Sequence, residues 1–276
     1  SCRKGKGTLF GVKRATSNMQ SVSCNFTQNA YVLKMDISGY FMNINKEKLY
    51  NKVLSIVDKN ELNLPIQSSL LKYLIYHNIF HNPTLDCKFQ SHKNKWQGLP
   101  QNKSLFYSVN NCGLPIGNLT SQLYGNLYLN DFDHFIKREL KIQQYARYVD
   151  DFYIMHIDKL VLLKHIETIK QRLQNVDGLL LHPKKIYLQP LNKGFLFLGI
   201  YILPYRRYVG KRIKVGLYGS INALIDINLL SKDIENIMER LQSYMSMLVH
   251  HSCQKLTKQF NGLLSYVQSK YNYQTN

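Results

Sequence analysis

Three carboxylates set the chemistry open to this sequence. Asp36 falls near the end of the apolar stretch YVLKMDI at 31–37, and Asp150 and Asp151 stand together inside YARYVDDFYIM at 145–155. Taken singly, an acid after a strand or an Asp-Asp pair in a turn is more often a solvated loop residue than a ligand. Brought together, the three would form a cluster of like charge. Such a cluster costs stability and raises pKa values unless divalent cations neutralise it. Magnesium matches, because it takes hard oxygen ligands from one or two carboxylates and from substrate phosphates. Two such ions could activate an attacking hydroxyl and stabilise a leaving phosphate oxygen in an in-line displacement. Everything then turns on whether the fold brings the acids together.

The β-branched and aromatic residues of 31–37 predict a strand. After Ser38 and Gly39, Leu49, Val53 and Ile56 recur at helical spacing through 46–57. Residues 61–112 read as an excursion: a helix through LLKYLIYHNIF, then a polar stretch around SHKNKWQGLPQNKS with the only tryptophan, Trp96. A helix follows over 119–137, with Leu119, Leu123, Leu127 and Asn130 on one face. Two short strands then meet in a tight hairpin with Asp150 and Asp151 at its tip. Leu162, Ile166, Ile169 and Leu173 predict a helix over 159–173, and Ile186 to Leu188 a strand. Further short strands are expected within 194–218, then two or three helices over 220–270 as a separate subdomain. The order β, α, excursion, α, β, β, α, β is the split βαβ arrangement of the ferredoxin-like motif. Its first strand lies beside the central hairpin, which would set Asp36 next to Asp150 and Asp151.

With 276 residues, 45% of them hydrophobic, the chain can bury one large core or two modest ones. Lys and Arg number 36 against 17 Asp and Glu, a formal charge of +19. That surplus points to a polyanionic partner, nucleic acid before membrane, with a merely soluble basic surface as the alternative. Twenty tyrosines and twelve phenylalanines could stack bases, although most aromatics fill core. The cysteines (Cys2, Cys24, Cys87, Cys112, Cys253) form no CxxC pair and no His/Cys grouping at zinc spacing, which implies a reducing compartment and no structural metal. No leader and no bilayer-length apolar run is present, so a soluble intracellular protein is expected. Starting at Ser1 with RKGKGT close behind, the sequence reads as a piece whose N-terminal part has been left out.

In order and roughly in spacing, LKMDISGYF (33–41), GLPIGNLTSQ (113–122), RYVDDF (147–152), LHPKKIYL (181–188) and FLGI (197–200) resemble the successive palm motifs of reverse transcriptases. SCRKGKGT (1–8) resembles the stretch before the first catalytic strand in group II intron and related bacterial enzymes, and SYMSMLVHHSCQKL (243–256) their thumb helices. The resemblance implies an α+β right-hand polymerase. A remnant of the fingers would occupy 1–28, a ferredoxin-like palm 29–205 with the excursion at about 61–112, and the primer-grip exit and helical thumb 206–276. It further implies RNA-directed DNA synthesis with two magnesium ions, or manganese in their place, bound by Asp36, Asp150 and Asp151, the first two holding both ions. Phe41 would be the steric gate that rejects a ribose 2′-hydroxyl. Lys185 would be a general acid near the leaving pyrophosphate, with Lys184 beside it leaving that choice open. Gly194–Ile202 would grip the primer through Phe197, Leu198 and Gly199, and the basic thumb would follow an A-form heteroduplex by shape.

The branch is read from 116–122. Most reverse transcriptases carry Gln-Gly here and end the motif in Ser-Pro, whereas this chain has Ile116-Gly117 and Ser121-Gln122. That form is similar to the diversity-generating retroelement branch, whose enzymes copy a template RNA with frequent errors opposite adenines. Gly117 would let the backbone approach the nascent base pair, with Asn118 or Thr120 capping the next helix and Gln122 near nucleotide and template. Glutamine at 116 could hydrogen-bond there; isoleucine offers only apolar contact, which discriminates weakly. Ile116 would thus relax base selection, unless it is simply a packed apolar residue. Implied partners are template RNA, primer and cDNA, deoxynucleoside triphosphates and a small basic helical-bundle accessory protein, with no membrane, in a bacterial cytoplasm or from a phage. A group II intron or retron-type enzyme of ordinary fidelity and a non-catalytic RNA-binding relic are the alternatives. The usual finger strands before SCRKGKGT are missing, so this span alone is expected to be inactive or poorly folded. Its end at Asn276 leaves no room for a maturase, endonuclease or ribonuclease H, so RNA removal and integration would need other proteins.

Overall fold

The computed structural model describes residues 3–89, 92–225 and 231–271. Ser1 and Cys2 of the SCRKGKGT stretch, Ser91 of the tryptophan-bearing stretch and residues 226–230 of the expected C-terminal helices lie outside them. The chain divides into two units, one of Ser1–Gly7 with Ala30–Gln189, the other of Thr8–Asn29 with Pro190–Asn276.

In the first unit, strands β1 (Tyr31–Asp36), β2 (Gln144–Tyr148), β3 (Asp151–His156) and β4 (Tyr187–Pro190) form one sheet in the order β2-β3-β1-β4. That is the strand order of the split βαβ motif. The register sets Met35 opposite Phe152 and Leu33 opposite Ile154, and all four are buried in the main core with Ile37. Because side chains alternate across a strand, Lys34, Asp36 and Asp151 project from the other face. That face also buries Val32, Tyr153 and Met155. A one-residue slip would exchange the two faces and carry the acids into the main core, so the register fixes where they go.

The helices, beginning with the one-turn α2 (Tyr40–Asn43) after β1, position these strands, with some departures from expectation. In α3 (Lys46–Lys59) the buried positions are Lys46, Leu49, Val53 and Val57, whereas Ile56 is exposed. The expected helix over 119–137 breaks at Leu129 into α5 (Leu119–Tyr128) and α6 (Asn130–His134), followed by a π-helical turn at Phe135–Glu139. Leu119 and Leu123 face outward, and the buried side of α5 carries Ser121, Tyr124, Gly125 and Tyr128. Gly125 lets that side come close to the segment after β1, since a Cβ there would stand 3.1 Å from the Phe41 ring and 3.3 Å from that of Tyr40. The Tyr40 hydroxyl there donates to the Gly125 carbonyl. Helix α7 (Lys159–Arg172) buries Leu162 and Ile169 as expected, and Leu173 just beyond it.

Among the described residues, the excursion contains α4 (Ser68–Phe80) and then short 3₁₀ turns. It returns by pairing with the segment after β1: the Gly113 amide donates to Ile44 O at 2.9 Å and the Leu114 amide to Phe41 O at 2.8 Å. These bonds anchor the GLPIG stretch.

In the second unit, α1 (Thr8–Val22) packs on a three-stranded sheet of β5 (Phe195–Phe197), β6 (Ile200–Leu203) and β7 (Arg206–Val209). Leu198 and Gly199 join β5 to β6 with φ of 52° and 82°, the doubly positive geometry of a tight hairpin turn. Strand structure ends at Val209 instead of continuing to 218. Leu217, Ile221 and Leu224 are buried at helical spacing in α8 (Lys211–Ile225), which precedes α9 (Ser231–Val249) and α10 (Gln254–Tyr271). Among the described residues, no helix is long and apolar enough to cross a membrane.

Candidate active site

Asp36 ends β1 directly opposite Asp151, which begins β3. The hairpin tip is therefore Val149-Asp150 and not the acid pair: Tyr148 faces Asp151 and closes a two-residue loop. The Ile37 amide donates to the Asp150 carbonyl at 3.3 Å, tying that loop to the end of β1. Val149 carries a φ of 61°. For a β-branched side chain this is a strained backbone, costing on the order of 1–3 kcal/mol, and it persists only where surrounding contacts hold it.

Asp36 and Asp150 line one cavity of about 450 Å³ together with Phe41, Ile116, His182 and Lys185. Pro100, Asn102 and Lys103 from the end of the excursion complete its wall. Gly39, at φ 53°, lies where that wall crosses: a Cβ there would stand 2.7 Å from the Asn102 carbonyl oxygen. A second cavity of about 240 Å³ is lined by Phe41, Ile116, Gly117, Ser121, Gln122, Tyr148 and Val149. Ile116 is 68% exposed and borders both, so it is not a core residue. Asn118 occupies the N-cap of α5, but its side chain makes no capping bond. Phe197 is buried, and Leu198 and Gly199 are half-buried at the β5–β6 turn of the second unit.

Two lysines balance the acids. Lys185 Nζ lies 3.0 Å from Asp36 Oδ2, and Lys34 Nζ lies 3.1 Å from Asp151 Oδ2. Of the adjacent pair Lys184 and Lys185, only Lys185 lines the larger cavity. Burial raises the Asp150 carboxyl above its usual range, and the neighbouring Asp36 adds to this. Burial pushes Asp151 up to about 6 despite its ion pair with Lys34, and its Oδ1 is buried without a hydrogen-bond partner.

A carboxyl raised on folding binds its proton more tightly in the folded state, so its contribution to stability is lost as pH rises through the folded value. For Asp151 that window runs from about 4 to about 6. We expect the cation-free chain to gain about 1 kcal/mol from this group between pH 7 and pH 5. Urea denaturation of the wild type and of Asp151→Asn at both pH values measures it, and an equal response in the two would remove Asp151 as the source.

Among the described residues, no three of His, Cys, Asp and Glu stand together as a ready-made metal cage. The donor set is two carboxylates on one open cavity, with the orphaned Oδ1 of Asp151 beside them. That fits an ion of the magnesium type, which draws its remaining oxygens from substrate phosphates and water.

A profile of the reverse transcriptase (RNA-dependent DNA polymerase) family matches residues 3–202. The chain belongs to that family. A comparison with curated proteins gives no match. Among solved structures, this reverse transcriptase family member is similar to a telomerase from Candida tropicalis determined with a TWJ fragment of telomeric RNA. The TM-score is 0.51 at 15% identity, covering 91% of this chain and 43% of that one. At that identity the likeness speaks for the fold alone, that of a right-hand polymerase, and the chain spans less than half of the telomerase chain. A telomerase from Candida albicans is also similar, with a TM-score of 0.46 at 11% identity over 94% of this chain and 44% of that one.

Several residues at the site escaped the motif reading. Lys34 lies two positions before Asp36, hence on the same face of β1, a placement strand alternation alone could have flagged. Arg147 stands inside RYVDDF itself. Asn102 and Lys103 carry no local signal, because only the folded path of the excursion brings them to the cavity.

Proposed function

We propose that this reverse transcriptase family member copies a template RNA into cDNA, as the polymerase of a diversity-generating retroelement. One observation carries the reading: Asp36 and Asp150, from neighbouring strands, line a single cavity with Phe41, Ile116 and Lys185. Asp36 and Asp150 would hold two magnesium ions, with Asp151 alongside and manganese as a substitute. Bound there, the ions would supply Lewis-acid stabilisation of charge on the reacting phosphate. The primer 3′-oxygen forms a bond to the α-phosphorus of a deoxynucleoside triphosphate as the bond to the β-phosphate oxygen breaks. The 3′-hydroxyl gives up its proton to solvent water, and pyrophosphate leaves. Lys185, 3.0 Å from Asp36, would protonate the leaving pyrophosphate. Phe41 would exclude a ribose 2′-hydroxyl. Gly117, Asn118 and Gln122 would border the nucleotide and template, and Phe197, Leu198 and Gly199 would hold the primer end. A small basic helical-bundle protein would assist template use.

The mutagenic part of the proposal rests on Ile116, an exposed apolar side chain bordering both cavities. With no polar contact offered there, a wrong base loses little at that position. Sequencing of cDNA made from a defined RNA template tests this, with errors sorted by template base. Errors concentrated at adenines are expected, and Ile116→Gln should lower them by about tenfold. Uniformly low errors in the wild type would return the chain to an intron- or retron-type reading of ordinary fidelity.

A further inference from the structure

Arg147 is set into β2 two residues before the strained turn, and its side chain is only 6% exposed. Its guanidinium forms a fork on Asp133 of α6, with Nε 2.8 Å from Oδ1 and Nη2 2.6 Å from Oδ2. The Tyr145 hydroxyl also donates to Asp133 Oδ1, which fixes the carboxylate in place. The fork leaves Nη1 to donate to the Val149 carbonyl at 2.9 Å, while Nη2 also reaches the Asn126 carbonyl of α5 at 3.4 Å. A buried arginine committed to a carboxylate would ordinarily be a tie between a helix and a strand. Here its remaining donor is spent on the carbonyl of Val149, the β-branched residue held at φ 61° immediately before Asp150.

We infer that Arg147, oriented by Asp133, is a positioning residue that keeps the Val149-Asp150 turn in its strained form and so aims the Asp150 carboxylate into the cavity. The inference rests on the proposed role of Asp150 in cation binding and nucleotidyl transfer. Arg147 touches no reacting atom; it acts through one backbone carbonyl. Without the fork, Val149 relaxes toward ordinary negative φ, which rotates the peptide joining it to Asp150. The Ile37–Asp150 bond across the turn then loosens as well. Lysine at 147 keeps charge but cannot serve both Asp133 and the Val149 carbonyl with a planar fork. Glycine at 149 removes the steric cost of positive φ, so the turn no longer needs holding.

The test uses the full-length chain in four forms: wild type, Arg147→Lys, Val149→Gly and the double variant, with Asp133→Asn as a second route to the same fork. Mn²⁺ binding, amide exchange at Ile37, thermal midpoint, and the KM and kcat of single-nucleotide addition are measured on each. We expect Arg147→Lys to weaken Mn²⁺ binding and lower kcat by about tenfold with KM for the nucleotide little changed, and to speed Ile37 exchange. Asp133→Asn should act in the same direction. In the Val149→Gly background Arg147→Lys should do far less, a coupling that a general loss of stability does not produce. Additive effects, or a lowered midpoint with unchanged Mn²⁺ binding and Ile37 exchange, would overturn the inference and leave Arg147 as a structural tie. If the wild type adds no nucleotide, the polymerase reading fails by itself, while Mn²⁺ binding and Ile37 exchange still decide the part played by Arg147.

Discussion

Asp150→Asn is expected to reduce nucleotide addition by at least about a thousandfold without lowering the thermal midpoint. The size follows from what the side chain would do. It lines the larger cavity together with Asp36, and several kcal/mol of stabilisation at the reacting phosphate depend on the charge there. The unchanged or raised midpoint follows from the cost of that charge in the cation-free chain. Burial and the nearby Asp36 both raise the Asp150 carboxyl, so an uncharged side chain of the same shape relieves repulsion. The turn should survive, because it is held through the backbone carbonyls of Val149 and Asp150, which the substitution keeps. Activity is read as the rate of single-nucleotide addition and stability as a melt with and without Mg²⁺. A variant that melts well below the wild type would make Asp150 a structural residue first.

The second large effect is expected at Phe41. Phe41→Ala should raise ribonucleotide incorporation relative to deoxynucleotide by about a hundredfold, at a modest cost to deoxynucleotide addition. The Phe41 ring lines both cavities and has little room to retreat. Tyr40 packs against it at a centroid distance of 5.4 Å, and a Cβ at Gly125 would stand 3.1 Å from its edge. A wall fixed in this way can reject one extra hydroxyl by shape, and alanine removes the wall. The ratio of kcat/KM for a matched deoxy- and ribonucleotide measures it. An unchanged ratio would assign Phe41 to packing alone.

Much of the fold was legible in the sequence, because β1 and β3 are apolar runs bounded by polar residues and the order of elements admits few topologies. From those strands the adjacency of Asp36 and the Asp150-Asp151 pair could be reasoned out. The exact tip of the hairpin could not, since no turn rule selects a valine for positive φ; the contacts of Arg147 hold it there. The buried side of α5 was misread for a related reason. Hydropathy weights Leu119 and Leu123, whereas close packing against Tyr40 and Phe41 selects Gly125. In α3 the stripe shifted by one, from Ile56 to Val57, which a window of alternating apolar residues cannot resolve. Asn102 and Lys103 lie beyond α4, among short 3₁₀ turns with no periodic pattern to mark where the chain returns.

The most direct test of the account is extension of a labelled DNA primer on a defined RNA template with Mg²⁺ and all four deoxynucleotides. It should use the chain with any flanking natural sequence and a helical-bundle accessory protein supplied. The expected result is cDNA running to the end of the template, dependent on Mg²⁺ and lost with Asp150→Asn. Binding of the primer and template without any extension would contradict it and leave an RNA-binding relic of the polymerase fold.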